Sequence, residues 1–554
     1  MAKISGGHLA AKYLKEVEKV GMVFTISGGH IESLLDGFVK FGVPTLDVRH
    51  EQAAAMMAHA WSIYKNQPGV CLVTAGPGFT NALTGMANAY LDNAPVVVLG
   101  GRHPLRDDLT GTLQEMNQVD MAKPVTKWCA TCYDAKRIPE YLNIAFRQAT
   151  LGRPGPVFLE LPPDILFPKV DEKSAPFPEK RIHKTSAHPA KSELSAAARL
   201  IDAAKRPIFL GGSGVGHSGC GKELAAFLEK TGIPFALVNG GRGIVPDTHP
   251  LSLSEGGYTG ILAGMPQADL IVAAGIRFNW LLNYGKLFPD AKMVRIDIDE
   301  NEMDRNRMAD AGLVGDAKEA LAALAPLCAK RSHAEWLEKM KSATRAFLTT
   351  ELEQRAAPSD PIHPNRLVAK IMEVFGTDAY YVADGGDTSY YALAGFRSEH
   401  PAGVMNPSGA LLGCLGTGLP FALAAKLAHP DKPVILLNGD GSFGFNGMEF
   451  DTAVRHNIPI VCVINNDCAW GMIKHSQEMS LGPECTTCAE LGLRHYEKMV
   501  EGLGGYGEIV TRDEDIVPAI KRAVASRKPA CVNVLTHPGV TSPATVMFYQ
   551  ALQF

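Results

Sequence analysis

The chain has 554 residues, 46% of them hydrophobic and 20% charged, and its 54 Lys and Arg against 58 Asp and Glu leave a net charge of −4. That length implies three to four domains at the usual ~150 residues each, and the composition excludes a disordered or collagen-like chain. Near-neutral charge argues against a nucleic-acid partner, and no apolar run reaches the ~18–20 residues of a membrane span.

The opening segment, MAKISGGHLAAKYLKEVEK, lacks the apolar stretch of a signal peptide, which predicts a cytoplasmic protein. Eleven cysteines are scattered without a framework; the lone CxxC pairs at Cys129/Cys132 and Cys485/Cys488 read as ordinary reduced thiols. Further on, VCLVTAGPGFTNALTGMANAYLDNAPVVVLGG (70–101) reads as strand, Gly-rich turn, helix, Asn-x-Pro, strand. Residues 168–192 are rich in Pro, Lys and Ser without apolar periodicity and read as a linker. In the middle of the chain GVGHSG (214–219) lies between the strand-like PIFLGG and the helix-like KELAAFLEK. A dinucleotide site would want an acid closing the next strand, but IPFALV is followed by Asn239, Gly240 and Gly241, so a packing turn is the better reading. A second linker covers 353–364. Beyond it, VILLNGDGSFGFNGMEFDTAVRHNIPIVCVINN (434–466) repeats the order of 70–101: from Gly78 to Pro95 is 17 positions, and from Gly441 to Pro459 it is 18. The expectation is an α/β protein of three parallel-sheet domains, 1–170, 190–345 and 360–540, the first and third alike.

A strand that ends in a Gly-rich turn opening a helix presents free N–H groups to a phosphate. AGPG (75–78), GVGHSG and GDG (439–441) are three such turns, but only GDG carries an acid inside the cradle. An Asp beside a diphosphate makes sense when a divalent metal bridges them, and the next strand ends in more oxygen ligands: Asn465, Asn466 and Asp467. An oxygen-only set suits Mg²⁺ or Ca²⁺ better than zinc.

GDG followed by NN, with 23 residues between, resembles the signature of thiamine-diphosphate (ThDP) enzymes. Over essentially the whole chain the likeness is to the pyruvate oxidase/acetolactate synthase superfamily. RHEQAAA (49–55), TAGPGFTNALTGMANAYLD (74–92), TLQ (112–114) and VTKW (125–128) resemble benzaldehyde lyase. GRPGPVFLELPPDIL (152–166), GIRFNWLLNYG (275–285) and FGFNGMEFDTAVRHNIPI (443–460) resemble 2-hydroxyacyl-CoA lyase and oxalyl-CoA decarboxylase. The resemblance implies a pyrimidine-binding, a central and a diphosphate-binding domain, with ThDP and Mg²⁺ as cofactors.

It also implies residue roles. Glu51 would hydrogen-bond the aminopyrimidine and activate the cofactor, which carries the difficult chemistry. Asp440 would be the first metal ligand, and Asp467, 27 positions on, the second. The carbonyl of Ala469 would complete the set; many relatives carry Asn where this chain has Asp467, a departure, and Asn466 is the alternative ligand. In GALLGCLGTGLP (409–420) the Gly413 carbonyl would hold the pyrimidine amine and Leu415 would be the wedge that bends the cofactor. Gly441 and Ser442 would face the diphosphate. His30 and Gln114 match substrate-side positions of benzaldehyde lyase, while Pro163 and Ser389 stand where that lyase has aromatics and count against an aromatic substrate. The implied activity is a lyase or carboligase acting on a C–C bond beside a carbonyl, with a 2-hydroxyacyl-CoA or an acyloin as the small-molecule substrate. A 2-keto acid decarboxylase or acetolactate-synthase-like transferase is the alternative. Family members assemble as homodimers or homotetramers with active sites at the subunit interface.

Overall fold

The computed structural model describes residues 3–179, 187–254, 262, 264–407 and 411–552. Its three large sheets are wholly parallel. In the first, β2 (Val23–Thr25), β3 (Thr45–Asp47), β4 (Gly69–Val73), β5 (Val96–Gly101), β6 (Trp128–Thr131) and β7 (Val157–Leu161) run in the order β3-β2-β4-β5-β7-β6. The central sheet has β9 (Pro207–Gly211), β10 (Phe235–Leu237), β11 (Leu270–Ala274), β12 (Lys292–Asp297) and β13 (Ala311–Val314), in the order β10-β9-β11-β12-β13. The last is built from β14 (Tyr380–Asp384), β15 (Val404–Met405), β16 (Val434–Gly439), β17 (Val461–Asn466), β18 (Tyr506–Val510) and β19 (Ala530–Leu535), in the order β15-β14-β16-β17-β19-β18. Numbered within each sheet, the first and last share one order, so the repeat visible in the sequence is a repeat of topology.

Parallel strands are covered on both faces, so they read as continuous apolar runs. GVCLV in β4, VVVLGG in β5 and VILLNG in β16 are buried at every position. The first of the two linkers differs from expectation at its start. Lys169–Asp171 forms β8, antiparallel to β1 (Lys3–Ser5); residues 180–186 lie outside the described part. The second begins inside a helix, Thr349–Ala356, which stops before Pro358 because proline cannot continue a helical ladder.

The described chain falls into two compact units: 1–184 with 410–428 and 446–456, and 185–409 with 429–445 and 457–554. The first unit therefore takes in two segments from the 360–540 stretch. Helix Gly418–Ala428 (GLPFALAAKLA) is apolar almost all round and packs on helix Glu51–Lys65, which is itself buried at eleven of its fifteen positions. A helix of that kind has no solvent face and must be covered. Phe421 meets the His59 ring at 5.0 Å, and Lys65 donates to the Ala428 carbonyl at 2.7 Å. Among the described residues no helix is long and apolar enough to cross a membrane, and the cysteines are free thiols.

Candidate active site

In the first unit the β4–α turn is the floor of a cluster of polar side chains. Pro77 starts the helix Pro77–Leu91, where its fixed φ and missing N–H cost nothing. Gly76 (φ +61°) turns the chain, and a Cβ there would lie 2.8 Å from Gln114 Cβ. Its N–H donates to Gln118 Oε1 at 2.7 Å. Two residues either side, Thr74 Oγ1 is 3.4 Å from His30 Nδ1, and a Cβ on Gly78 would meet Glu51 Oε1 at 3.7 Å. AGPG is thus not a phosphate cradle. Its donor is engaged by Gln118, and its glycines make room for the Gln114 and Thr74 side chains.

Glu51 is the first residue of its helix. His50 caps that helix, its Nδ1 accepting from the Gln52 N–H at 3.1 Å. The Glu51 carboxylate is half-buried and accepts a hydrogen bond from Asn81 Nδ2 at 2.9 Å. His30 sits on a short 3₁₀ turn, Gly29–Ile31, and a Cβ on Gly101 would lie 2.9 Å from its own Cβ. Burial, with a smaller contribution from the nearby His103, holds the His30 imidazole below its ordinary pKa and so favours the neutral ring. Gln114 has a left-handed backbone (φ +61°), and its Oε1 is buried without a hydrogen-bond partner. An acceptor left bare in this way costs about 1–3 kcal/mol, which a bound donor would recover. Gly413 is exposed with φ +66° and open space around it, and Leu415 is partly buried; residues 409 and 410 of the same loop lie outside the described part.

The second unit holds the GDG turn. β16 and β17 are parallel neighbours with Gly439 opposite Asn465, so both ligand clusters leave the sheet at one carboxyl edge, the usual place for ligands in α/β sheets. Asp440 is 2% exposed; its Oδ1 accepts from the Gly441 N–H at 2.9 Å, and its Oδ2 has no partner. Asp467 Oδ1 accepts from the Ala469 N–H at 3.2 Å. Burial first, then the charge of Asp467, raises Asp440 well above the usual carboxylate range; burial likewise raises Asp467. Two buried carboxyls facing each other hold either a proton or a cation between them.

The neighbouring groups divide by what they already bond. Asn466 Oδ1 accepts from the Cys468 N–H at 3.0 Å, and its amide donates to Asn533 at 2.9 Å. Asn465 donates to Thr388 Oγ1 at 3.0 Å, leaving its own buried Oδ1 without a partner. Gly441 lies under Trp470, whose ring a Cβ would meet at 2.6 Å, and a Cβ on Gly471 would strike Asp467 Oδ2 at 2.2 Å. Both glycines keep the cradle open. Ser442 donates internally, to the Gly439 carbonyl at 3.0 Å, and the Gly441 N–H is engaged by Asp440 itself. The expected diphosphate contacts of these two donors would therefore require these internal bonds to be exchanged.

Asp387 is a further acid at this edge that the motif did not point to. It accepts from the Ser542 and Thr545 hydroxyls and lies 3.3 Å from His475 Nδ1. Burial lowers His475, but its bonds to Asp387 and to the Pro538 carbonyl outweigh that and hold it above its ordinary value. Asp387 follows β14 in the sequence ADGGDT, the same strand-to-helix position that Asp440 occupies after β16, and that parallel was the available signal. GVGHSG, by contrast, is a packing turn: Gly214 stacks on Gly275 and Gly216 on the Gly240 carbonyl, where any Cβ would collide.

Residues 4–121 match the N-terminal TPP binding domain of thiamine pyrophosphate enzymes, 194–324 their central domain and 384–534 their C-terminal TPP binding domain. The chain is 37% identical over 540 residues to the acetolactate synthase large subunit of Mycobacterium tuberculosis, covering 97% of this chain and 96% of that protein. It is 29% identical to a 2-hydroxyacyl-CoA lyase of Arabidopsis thaliana (97% and 96% covered) and 30% identical to human 2-hydroxyacyl-CoA lyase 2 (96% and 90%). With all three domains in order and full-length relatives of both kinds, the chain belongs to the thiamine pyrophosphate enzymes and is a ThDP-dependent carbon–carbon lyase/carboligase.

Proposed function

We propose that this enzyme uses ThDP with Mg²⁺ to cleave or form the bond between a carbonyl carbon and an adjacent hydroxyl-bearing carbon, in a 2-hydroxyacyl-CoA or an acyloin. The cofactor, when bound, supplies the nucleophilic carbon and the electron sink that make such a bond labile. The observation that carries the substrate reading is that the 74–78 turn is met both by His30, whose pKa is held below its ordinary value, and by Gln114, whose Oε1 is buried without a partner.

A lyase acting on a 2-hydroxy compound must remove the hydroxyl proton as the C–C bond breaks, and a neutral imidazole is suited to take it. In the joining direction the same ring returns that proton to the new alkoxide. Gln114 Oε1 accepts a hydrogen bond from a substrate hydroxyl and so orients it. Glu51, held by Asn81, would supply the acid that the aminopyrimidine requires. Asp440 and Asp467 would hold the cation, with the Ala469 carbonyl as third ligand. The partnerless Asp440 Oδ2 supports a hard, oxygen-seeking ion, and the internal bonds of Asn466 favour Asp467 over it.

Acetolactate-synthase-like transfer from a 2-keto acid is the second reading, favoured by the 37% identity to a protein of that name. Cleavage of a 2-hydroxyacyl-CoA and of an acyloin, set beside release of CO₂ from pyruvate, all with ThDP and Mg²⁺, separates the two. Aldehyde release from either hydroxy substrate at the highest kcat/KM supports the lyase; pyruvate as the best substrate sinks it.

A further inference from the structure

The buried carboxylate of Glu449 belongs to no site described above, yet its bonds end beside Glu51. Glu449 opens helix Glu449–Arg455 in the first unit and is 1% exposed. Its Oε1 accepts from the backbone N–H groups of Arg49 and His50, each at 3.0 Å; Oε2 accepts from Arg49 N–H at 3.2 Å and from Thr452 Oγ1 at 2.6 Å. The rest of the helix grips the same turn. Arg455 reaches Asp47 through both its carboxylate and its carbonyl, His456 lies 2.8 Å from Asp47 Oδ1, and Asp451 lies 3.7 Å from Arg49. Asp47 ends β3 and residues 48–50 connect it to the helix that begins at Glu51, so every one of these contacts acts on the approach to that acid.

We infer that Glu449 is a positioning residue: it clamps the Arg49 and His50 N–H groups and thereby sets where helix Glu51–Lys65 starts and where the Glu51 carboxyl points. This inference rests on the catalytic reading of Glu51. Every group around the Glu449 oxygens is a donor, so a carboxylate, which only accepts, fits where an amide would set its NH₂ against a backbone N–H. Burial raises Glu449 to about 7 against the lowering effect of the Thr452 hydroxyl, the two N–H donors and Arg455, so its charge is met by oriented N–H groups more than by a cation.

Glu449→Gln tests the clamp. In the cofactor-free protein, amide hydrogen exchange at Arg49 and His50 is expected to speed up about tenfold or more, while the strands of the first sheet keep their protection. With ThDP and Mg²⁺, kcat on the best cleavage substrate is expected to fall about tenfold with KM within about twofold, and Glu51→Gln/Glu449→Gln to be no slower than Glu51→Gln alone. Unchanged exchange at Arg49 and His50, or losses that multiply in the double variant, overturns the inference. A fully active Glu51→Gln would instead remove the catalytic reading, and the exchange data would still decide the clamp. If Glu449→Gln does not accumulate folded, Glu449→Asp, which withdraws the charge by one methylene, takes its place: faster exchange at Arg49 and His50 supports the clamp and unchanged exchange overturns it.

Discussion

The charge of Asp467 acts on the buried Asp440, a repulsion that the proposed cation would offset. Acids raised in the fold bind protons more tightly folded than unfolded. Their cost is therefore complete above the raised values and is relieved as pH falls toward the ordinary carboxylate range. Asp440→Asn is expected to melt higher than wild type at about pH 8 without metal, with the gap closing by about pH 5, and to lose Mg²⁺-dependent ThDP binding. Scanning calorimetry across that range checks the first and titration calorimetry the second; a variant that melts lower at every pH contradicts the repulsion. Glu51→Gln keeps the Asn81 contact but not the acid, and kcat is expected to drop about 10²–10⁴-fold. Full turnover in that variant would end the proposed role. For His30 the lowered pKa puts the acid limb of kcat/KM for cleavage below the ordinary ~6.5; in His30→Gln that limb should vanish with a loss of about 10²-fold. A limb that persists in the variant assigns it to another group.

At the level of elements, turns decide what side chains can reach. β16, the GDG turn and the following helix are continuous in sequence, which is why the sequence pointed to this edge of the sheet: the acid proposed as a metal ligand lies within the motif itself. Gly471 is the less visible part. It starts helix Gly471–Leu481, and only the absence of a Cβ leaves Asp467 Oδ2 where it is. Gly471→Ala is accordingly expected to weaken Mg²⁺ binding about tenfold or more with little change in apo melting temperature, since displacing one carboxylate disturbs the ligand set but not the sheet. An unaltered Mg²⁺ affinity by titration would show that Asp467 does not ligate. The AGPG turn looked like a second phosphate loop because its sequence pattern is that of one. Its actual use, giving space to Gln114, depends on a residue 38 positions beyond Gly76. No local pattern carries contacts of that range, and the Asn81 and Glu449 bonds were missed for the same reason.

At the scale of the molecule, Glu51, His30, Gln114, Gly413 and Leu415 lie in one compact unit and Asp440, Gly441, Ser442, Asp467 and Ala469 in the other. The family resemblance implies that such halves meet between subunits. Ile473, Met479 and Leu481 on the helix that follows the metal turn are exposed apolar side chains that an assembly would cover. The active enzyme is expected to sediment as a homodimer or homotetramer, and a fully active monomer would refute this. Apolar runs, Gly-rich turns and an internal repeat sufficed to predict three parallel α/β sheets, two of them alike, because each is written in contiguous residues whose periodicity and spacing follow from backbone geometry; the cofactor was implied by the family resemblance that the GDG motif carries. Only the tertiary structure decided which donors and acceptors are already paired. It left Asp440 Oδ2 and Gln114 Oε1 bare while binding Asn466 internally, and it placed Glu449 on the approach to Glu51, because hydrogen bonds and burial depend on distance in space, which sequence separation does not measure.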